Sequence, residues 1–269
     1  GMVCHGPRGG DEWFGAGVWA PTGNAGACGA AHAAGARVPC VIWVPQSAPV
    51  AKLRQIAAYG ALIVAVRGTY SASWSVADVL ARRGSFVNVT TTYQNPYGVA
   101  ALRTVAYELL DALGGEVPDA VFVPTGSGPL VRGVQWGYQE AVSLGLAPRV
   151  PAVVAVQAAG CAPIVRAYDS GAETVEPWDG CETAAAGIAD PLVGYAEDGT
   201  YTLSVVRETG GWAVAVSDTE LQAAASALAT RIGVFAELSG AAGLAGMRAS
   251  LAGGQLRADA MGVVLVTGS

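Results

Sequence analysis

The sequence predicts an α/β fold made of two open parallel-sheet lobes flanked by helices, with a ligand cleft between them. Short β-branched runs alternate with helical stretches along the chain. The apolar runs are continuous, as strands buried on both faces require. Two glycine-bearing turns each join the end of a predicted strand to the start of a predicted helix. At 269 residues the chain exceeds the usual size of one domain, so one large or two smaller domains are expected.

In chain order, residues 17–21, 40–44, 62–66 and 86–89 read as strands, each a short apolar or β-branched run. Residues 25–35, 50–59 and 73–82 read as the helices between them. A boundary is expected near 90–96, where polar residues and Pro96 interrupt the alternation. It divides a smaller lobe, 1–92, from a larger one, 93–269. The second series runs strand 120–123, helix 130–144, strand 152–157, helices 219–231 and 241–251, and strand 262–266. Pro118, Pro124 and Pro151 mark strand edges. Residues 169–200, with Pro177, Gly180, Pro191 and Gly199, read as loop with one short helix around 183–188.

Composition excludes several classes. Hydrophobic residues make up 52% of the chain, yet no apolar run reaches the length of a membrane span. A net charge of −6 without a basic run argues against nucleic acid as a partner, and Arg82-Arg83 reads as a solvated helix end. The opening residues show no secretory pattern, so a cytoplasmic protein is expected, and Gly1 before Met2 looks like a tag remnant. The five cysteines are irregularly spaced with no CxxC, which reads as reduced thiols and no metal site. His5 and His32 are too few for a histidine metal site or a Ser-His-Asp triad. His32, among alanines, reads as a packed helix side chain.

The chemistry concentrates in two turns, Thr22-Gly23-Asn24-Ala25-Gly26 and Pro124-Thr125-Gly126-Ser127-Gly128. Small residues there let backbone N–H groups converge at a helix N-terminus, where the dipole favours an anion. Neither turn is a P-loop or a GxGxxG fingerprint. Either alone reads as a tight βα turn with a Thr or Asn cap. Together, in successive α/β units, they point to one ligand shared by both lobes.

The order of further segments narrows the reading. Asn95-Pro96-Tyr97, Arg103-Thr104-Val105-Ala106-Tyr107-Glu108, Gly133, Trp136-Gly137-Tyr138, Val156-Gln157, Glu237-Leu238-Ser239-Gly240-Ala241-Ala242 and Val264-Leu265-Val266-Thr267-Gly268 follow the two turns. From residue 15 to 269 this series resembles threonine synthase-like enzymes dependent on pyridoxal phosphate (PLP), of the tryptophan synthase β fold type, fold type II. The resemblance implies PLP as cofactor. Asn24 would face its phenolic oxygen, Gly126, Ser127 and Gly128 would cradle its phosphate, and Thr267 would bond its pyridine nitrogen. Thr22 and Gly23 would lie against the substrate carboxylate. The implied activity is an amino-acid lyase reaction. It is either β,γ-replacement on O-phosphohomoserine, losing phosphate and adding water to give threonine, or a related β-elimination of the serine/threonine dehydratase kind. A small amino-acid substrate and a homodimer are implied as well.

Departures from the family pattern set a second expectation. Fourteen of the fifteen basic residues are arginines, and Lys52 is the single lysine. A Schiff base needs a primary amine that can lose its proton, which arginine cannot supply. The family's lysine precedes the Thr-Gly-Asn turn, whereas residues 1–14 contain none, so the catalytic residue is left unassigned. Against the family pattern, material is absent at both ends, ahead of the Thr-Gly-Asn turn and after residue 269, where the family continues with a Gly-Leu-Lys-Asp-like tail. Lys52 reads as a solvated charge on a helix beginning after Pro49, away from that turn. Pro129 replaces a Gly and removes an N–H, Ala100-Ala101 replace a Glu-Gly pair, and Leu238 replaces a Pro. The alternative is a lysine-less, non-catalytic homologue that binds a small anionic ligand or a partner. Arg67, Arg103 and Arg166 are candidates for a second phosphate site, too scattered to assign.

Overall fold

The computed structural model describes residues 17–19, 24–46, 48, 50–68, 70–83, 87–90 and 92–268. They form two units, Gly1–Ala101 and Leu102–Ser269, each built on a four-stranded parallel sheet.

In the first unit the strands are β1 (Gly17–Trp19), β2 (Cys40–Pro45), β3 (Leu62–Val66) and β4 (Val87–Asn88), in the order β3-β2-β1-β4. Helices α1 (Asn24–Ala36), α2 (Val50–Ala58) and α3 (Tyr70–Arg82) connect them. Along β2, Cys40, Ile42 and Val44 are buried while the alternate residues are only partly so, the two-residue period of a strand with unequal faces. On α1, Ala27, Ala30 and Ala33 recur on one face and join those strand residues and Ile56 in a single core. Alanine there permits close approach of helix to sheet at no side-chain entropy cost. Helix α4 (Pro96–Leu102) ends at the division between units.

The second unit contains β5 (Ala120–Pro124), β6 (Ala152–Ala158), β7 (Ala213–Val216) and β8 (Gly262–Val264), in the order β7-β6-β5-β8. Its helices are α5 (Thr104–Ala112), α6 (Pro129–Ser143), α7 (Pro163–Asp169), α8 (Ala196–Glu208), α9 (Asp218–Ile232) and α10 (Leu238–Ala252), with a 3₁₀ turn at Ala186–Ile188. Every residue of β5 is buried, as in a strand covered on both faces. Phe122, Val154, Val156 and Val216 pack with Leu221, Ala224 and Leu228 of α9 and Ala241, Ala242 and Ala245 of α10. Phe122 meets Trp212 edge-on, with ring centroids 5.8 Å apart. Helices α6, α7 and α8 also pack against β6.

The structure corrects the sequence reading in several places. Residues 169–200 are not loop throughout, because α8 begins at Ala196; the helix expected around 183–188 is the 3₁₀ turn at Ala186–Ile188. Helices α4, α5 and α7 and strand β7 were not anticipated. The last strand ends at Val264, short of residue 266. No helix among the described residues is long and apolar enough to cross a membrane.

Helix α9 shows how local sequence fixes an element's start. Ser217 Oγ accepts from Glu220 N–H at 3.3 Å, and the Glu220 carboxylate accepts from Ser217 N–H at 2.7 Å, a reciprocal capping box. Ser217→Ala is therefore expected to lower unfolding free energy by about 1 kcal/mol, read as a reduced Tm with unchanged far-ultraviolet circular dichroism.

Candidate active site

The second glycine turn sits at the carboxyl end of β5. Thr125 is buried: its N–H donates to Val156 O at 2.8 Å and its hydroxyl to Val123 O at 2.7 Å. Both bonds hold the turn against β6 and its own strand. Gln157, fully buried on β6, donates through Nε2 to Gly126 O at 3.3 Å. Its Oε1 accepts from Ile164 N–H at 2.9 Å and Val165 N–H at 3.2 Å, so one carboxamide braces both the turn and the start of α7. The Thr202 hydroxyl of α8 donates to Ser127 O. Ser127 is itself buried.

Gly128 is the N-cap of α6, with φ +110, and no side chain caps this helix. Pro129 occupies the first helical position, where its fixed φ suits the helix and its missing N–H is one the helix could not bond internally. A fifteen-residue helix therefore opens at the turn with its first-turn amides uncapped by side chains, the arrangement that favours an anion.

Thr267 lies at the same sheet edge. Strands β5 and β8 are parallel, with Phe122 opposite Val264, so the segments running on from each emerge together. Leu265 N–H donates to Phe122 O at 3.1 Å, and Glu237 N–H to Gly268 O at 3.1 Å, which seats residues 265–268 against β5 and the start of α10. Thr267 is exposed there. Ser239, in the first turn of α10, accepts from Gly187 N–H at 2.8 Å and ties the 3₁₀ turn to the same edge.

Asp190 is the residue that sequence reasoning missed. Its Oδ2 is 3.7 Å from where a Cβ on Gly126 would stand. The carboxyl is buried, accepting from the Tyr195 hydroxyl and from Leu192 N–H at 3.1 Å. Burial pushes it up to about 6, against the smaller opposing pull of those two donors. An Asp-Pro step in a loop carries no local signal of such a role.

In the first unit, Asn24 opens α1, and Thr22 and Gly23 lie outside the described residues. The expectation for Lys52 is overturned. Helix α2 does begin after Pro49, but it packs on α1, and the half-buried Lys52 ammonium donates to Asn24 Oδ1. The chain's single lysine thus engages the residue assigned to the cofactor's phenolic oxygen.

Other candidates have local duties. Arg103 pairs with Glu140 at 3.0 Å and lies over Trp136. Arg166 donates to the carbonyls of Glu176 and Pro177 and lies over Trp178. His32 bonds the Cys28 carbonyl one helical turn back at 2.8 Å, a packed helix residue.

Residues 17–268 match the family described as "Pyridoxal-phosphate dependent enzyme". The chain belongs to that family. It is 31% identical over 250 residues to a threonine synthase of Methanosarcina acetivorans, covering 93% of this chain and 60% of the relative. It is 30% identical over 268 residues to a threonine synthase of Mycobacterium tuberculosis, covering 99% and 69%. The chain thus spans about 60% of the length of the archaeal relatives it matches. Among solved structures, an L-serine ammonia-lyase from Rhizomucor miehei superposes with a TM-score of 0.79 at 22% identity, covering 94% of this chain and 78% of that one. Threonine deaminase isoform 2 from Solanum lycopersicum gives 0.76 at 22%, covering 94% and 69%. These neighbours share the fold type II architecture, and PLP is the cofactor of the family.

Proposed function

We propose that this chain carries the cofactor- and substrate-binding core of a threonine synthase-like lyase, acting by β,γ-replacement on O-phosphohomoserine or by a related β-elimination. The observation that carries the proposal is the anion-ready start of α6, held at a parallel sheet's carboxyl edge with Thr267 beside β5. The donor set suits PLP. Ser127 and the amides of Gly126 and Gly128 would hold its phosphate, Thr267 would bond its pyridine nitrogen, and Asn24 would donate to its phenolic oxygen. When bound, the cofactor supplies an electron sink for the substrate's α-carbon. Thr22 and Gly23 would hold the substrate carboxylate. A cytoplasmic setting accords with four free thiols among the described residues.

Lys52 has a defined part in this reading. A carboxamide has a donor end and an acceptor end, and an ammonium on Oδ1 decides which is which. Oδ1 is thereby the acceptor end and Nδ2 the donor end of Asn24. Lys52→Met is expected to weaken PLP affinity by up to about tenfold, the cost of ordering on binding a carboxamide that the ammonium no longer holds, in an absorbance titration.

The second reading, a homologue that binds PLP or another small anion without turnover, is favoured by the engagement of the sole lysine with Asn24. One experiment separates the two. The protein carrying this chain is supplied with PLP and O-phosphohomoserine, or with serine or threonine, while phosphate, threonine and ammonia are measured. Phosphate with threonine supports the replacement reaction, and ammonia alone supports elimination. Binding of PLP without any product would reject both in favour of the non-catalytic homologue.

A further inference from the structure

Two thiols stand together outside the residues assigned above. Cys161 is fully buried between β6 and α7, and Cys181 is half-buried in the connection between α7 and the 3₁₀ turn. Their backbones touch one residue inward on each side. Glu182 N–H donates to Gly160 O at 3.1 Å, and a Cβ on Gly160 would fall 1.7 Å from Glu182 O. Only glycine permits that approach. Cys161 and Cys181 face each other across it, both as free thiols, within hydrogen-bonding reach.

We propose that Cys161 and Cys181 form a reversible thiol–disulfide pair that closes in response to a peroxide. The half-buried Cys181 sulfur attacks one peroxide oxygen. An S–O bond forms, the O–O bond breaks and water leaves, giving a sulfenic acid. Cys161 sulfur then attacks Cys181 sulfur, an S–S bond forms, the S–O bond breaks, and the Cys161 proton leaves with the hydroxyl as a second water. One peroxide is reduced and two thiols are oxidised. The roles follow from the surroundings. The hydrogen bond with Cys161 holds the Cys181 thiol below its usual range, while the same bond and burial push Cys161 up.

The consequence reaches the Gly126 turn. Cys161 lies four residues after Gln157, which donates to Gly126 O, and the segment beyond Cys181 carries Asp190, packed beside Gly126. Closing the disulfide staples together the two segments that support the turn. The inference needs no bound cofactor and stands apart from the proposed activity.

The test is to treat the protein with hydrogen peroxide, block the remaining thiols with an alkylating agent and map peptides without reduction. The expected product joins the Cys161 and Cys181 peptides at a mass two hydrogens below their sum, with alkylation of both lost together and restored by dithiothreitol. Cys161→Ser should instead leave Cys181 advancing to sulfinic acid. Cys181→Ser, at the more exposed position, should protect Cys161 from oxidation and serves if the first variant does not fold. The proposal fails if unsubstituted protein accumulates sulfinic acid at Cys181 while Cys161 stays alkylatable. It fails equally if both thiols survive peroxide that oxidises Cys28.

Discussion

Gly128→Ala is expected to destabilise the protein by about 3 kcal/mol or more and to abolish anion binding at the start of α6. Two costs add. At φ +110 a side chain is strained whatever space surrounds it. Space is absent too, because the new Cβ would lie 2.0 Å from Thr202 Oγ1 and 2.3 Å from Cγ2. Thr202 cannot simply turn aside, since it is fully buried and its hydroxyl donates to Ser127 O. Relief of the overlap would therefore displace the turn whose amides define the site. A double-mutant cycle separates the terms: in a Thr202→Ala background the cost of Gly128→Ala should fall in part, leaving the backbone strain and the remaining 2.7 Å approach to the Cβ of residue 202. Urea midpoints give the stability, and titration with inorganic phosphate gives the anion affinity. An unchanged midpoint together with intact phosphate binding would show that Thr202 does not fix this turn.

The sheet cores were legible because their signal is local. The runs at β2, β5 and β6 are continuous and β-branched, and each is bounded by Pro or Gly. Most of the Gly126 site was legible for the same reason, since donors, turn and helix start are contiguous in sequence. What stayed hidden depends on distant parts of the chain. Helix α8 contains Gly199, three threonines or serines and two adjacent valines, weak helix formers that succeed because Thr202, Leu203, Val205 and Val206 are buried against neighbouring elements. The four-residue Ala-Val-Ala-Val of β7 is too short to stand out. Lys52 and Asn24 lie 28 residues apart, and only the packing of α2 on α1 joins them. A helix face computed from either segment alone places Lys52 among solvated charges. Gln157 was visible as part of a family segment, but its bracing of Gly126 and α7 is a three-way tertiary contact. Asp190 and the Cys161–Cys181 approach were invisible for that reason too.

Asp190→Asn is expected to remove a pH dependence of stability between about pH 4 and pH 6. An unfolded Asp ionises near 3.9, whereas burial beside the Gly126 turn raises the folded carboxyl to about 6. Between those values the folded protein binds more protons than the unfolded chain, so stability falls as pH rises through the window and levels off above it. Two pH units correspond to roughly 2–3 kcal/mol, as an order of magnitude. Asparagine has no such titration. Its Oδ1 can still accept from the Tyr195 hydroxyl and Leu192 N–H, while its added amide donors need partners and set the level of the curve rather than its slope. The slope is therefore the diagnostic quantity. Tyr195→Phe acts oppositely: it deletes a donor that favours the charged form, so the folded carboxyl should titrate higher and the window should extend to higher pH. Both variants are read from urea unfolding in steps from pH 4 to pH 8. If the unsubstituted protein shows no loss of stability across the window that Asp190→Asn removes, the carboxyl is already ionised at low pH and the buried charge beside the turn is tolerated without cost.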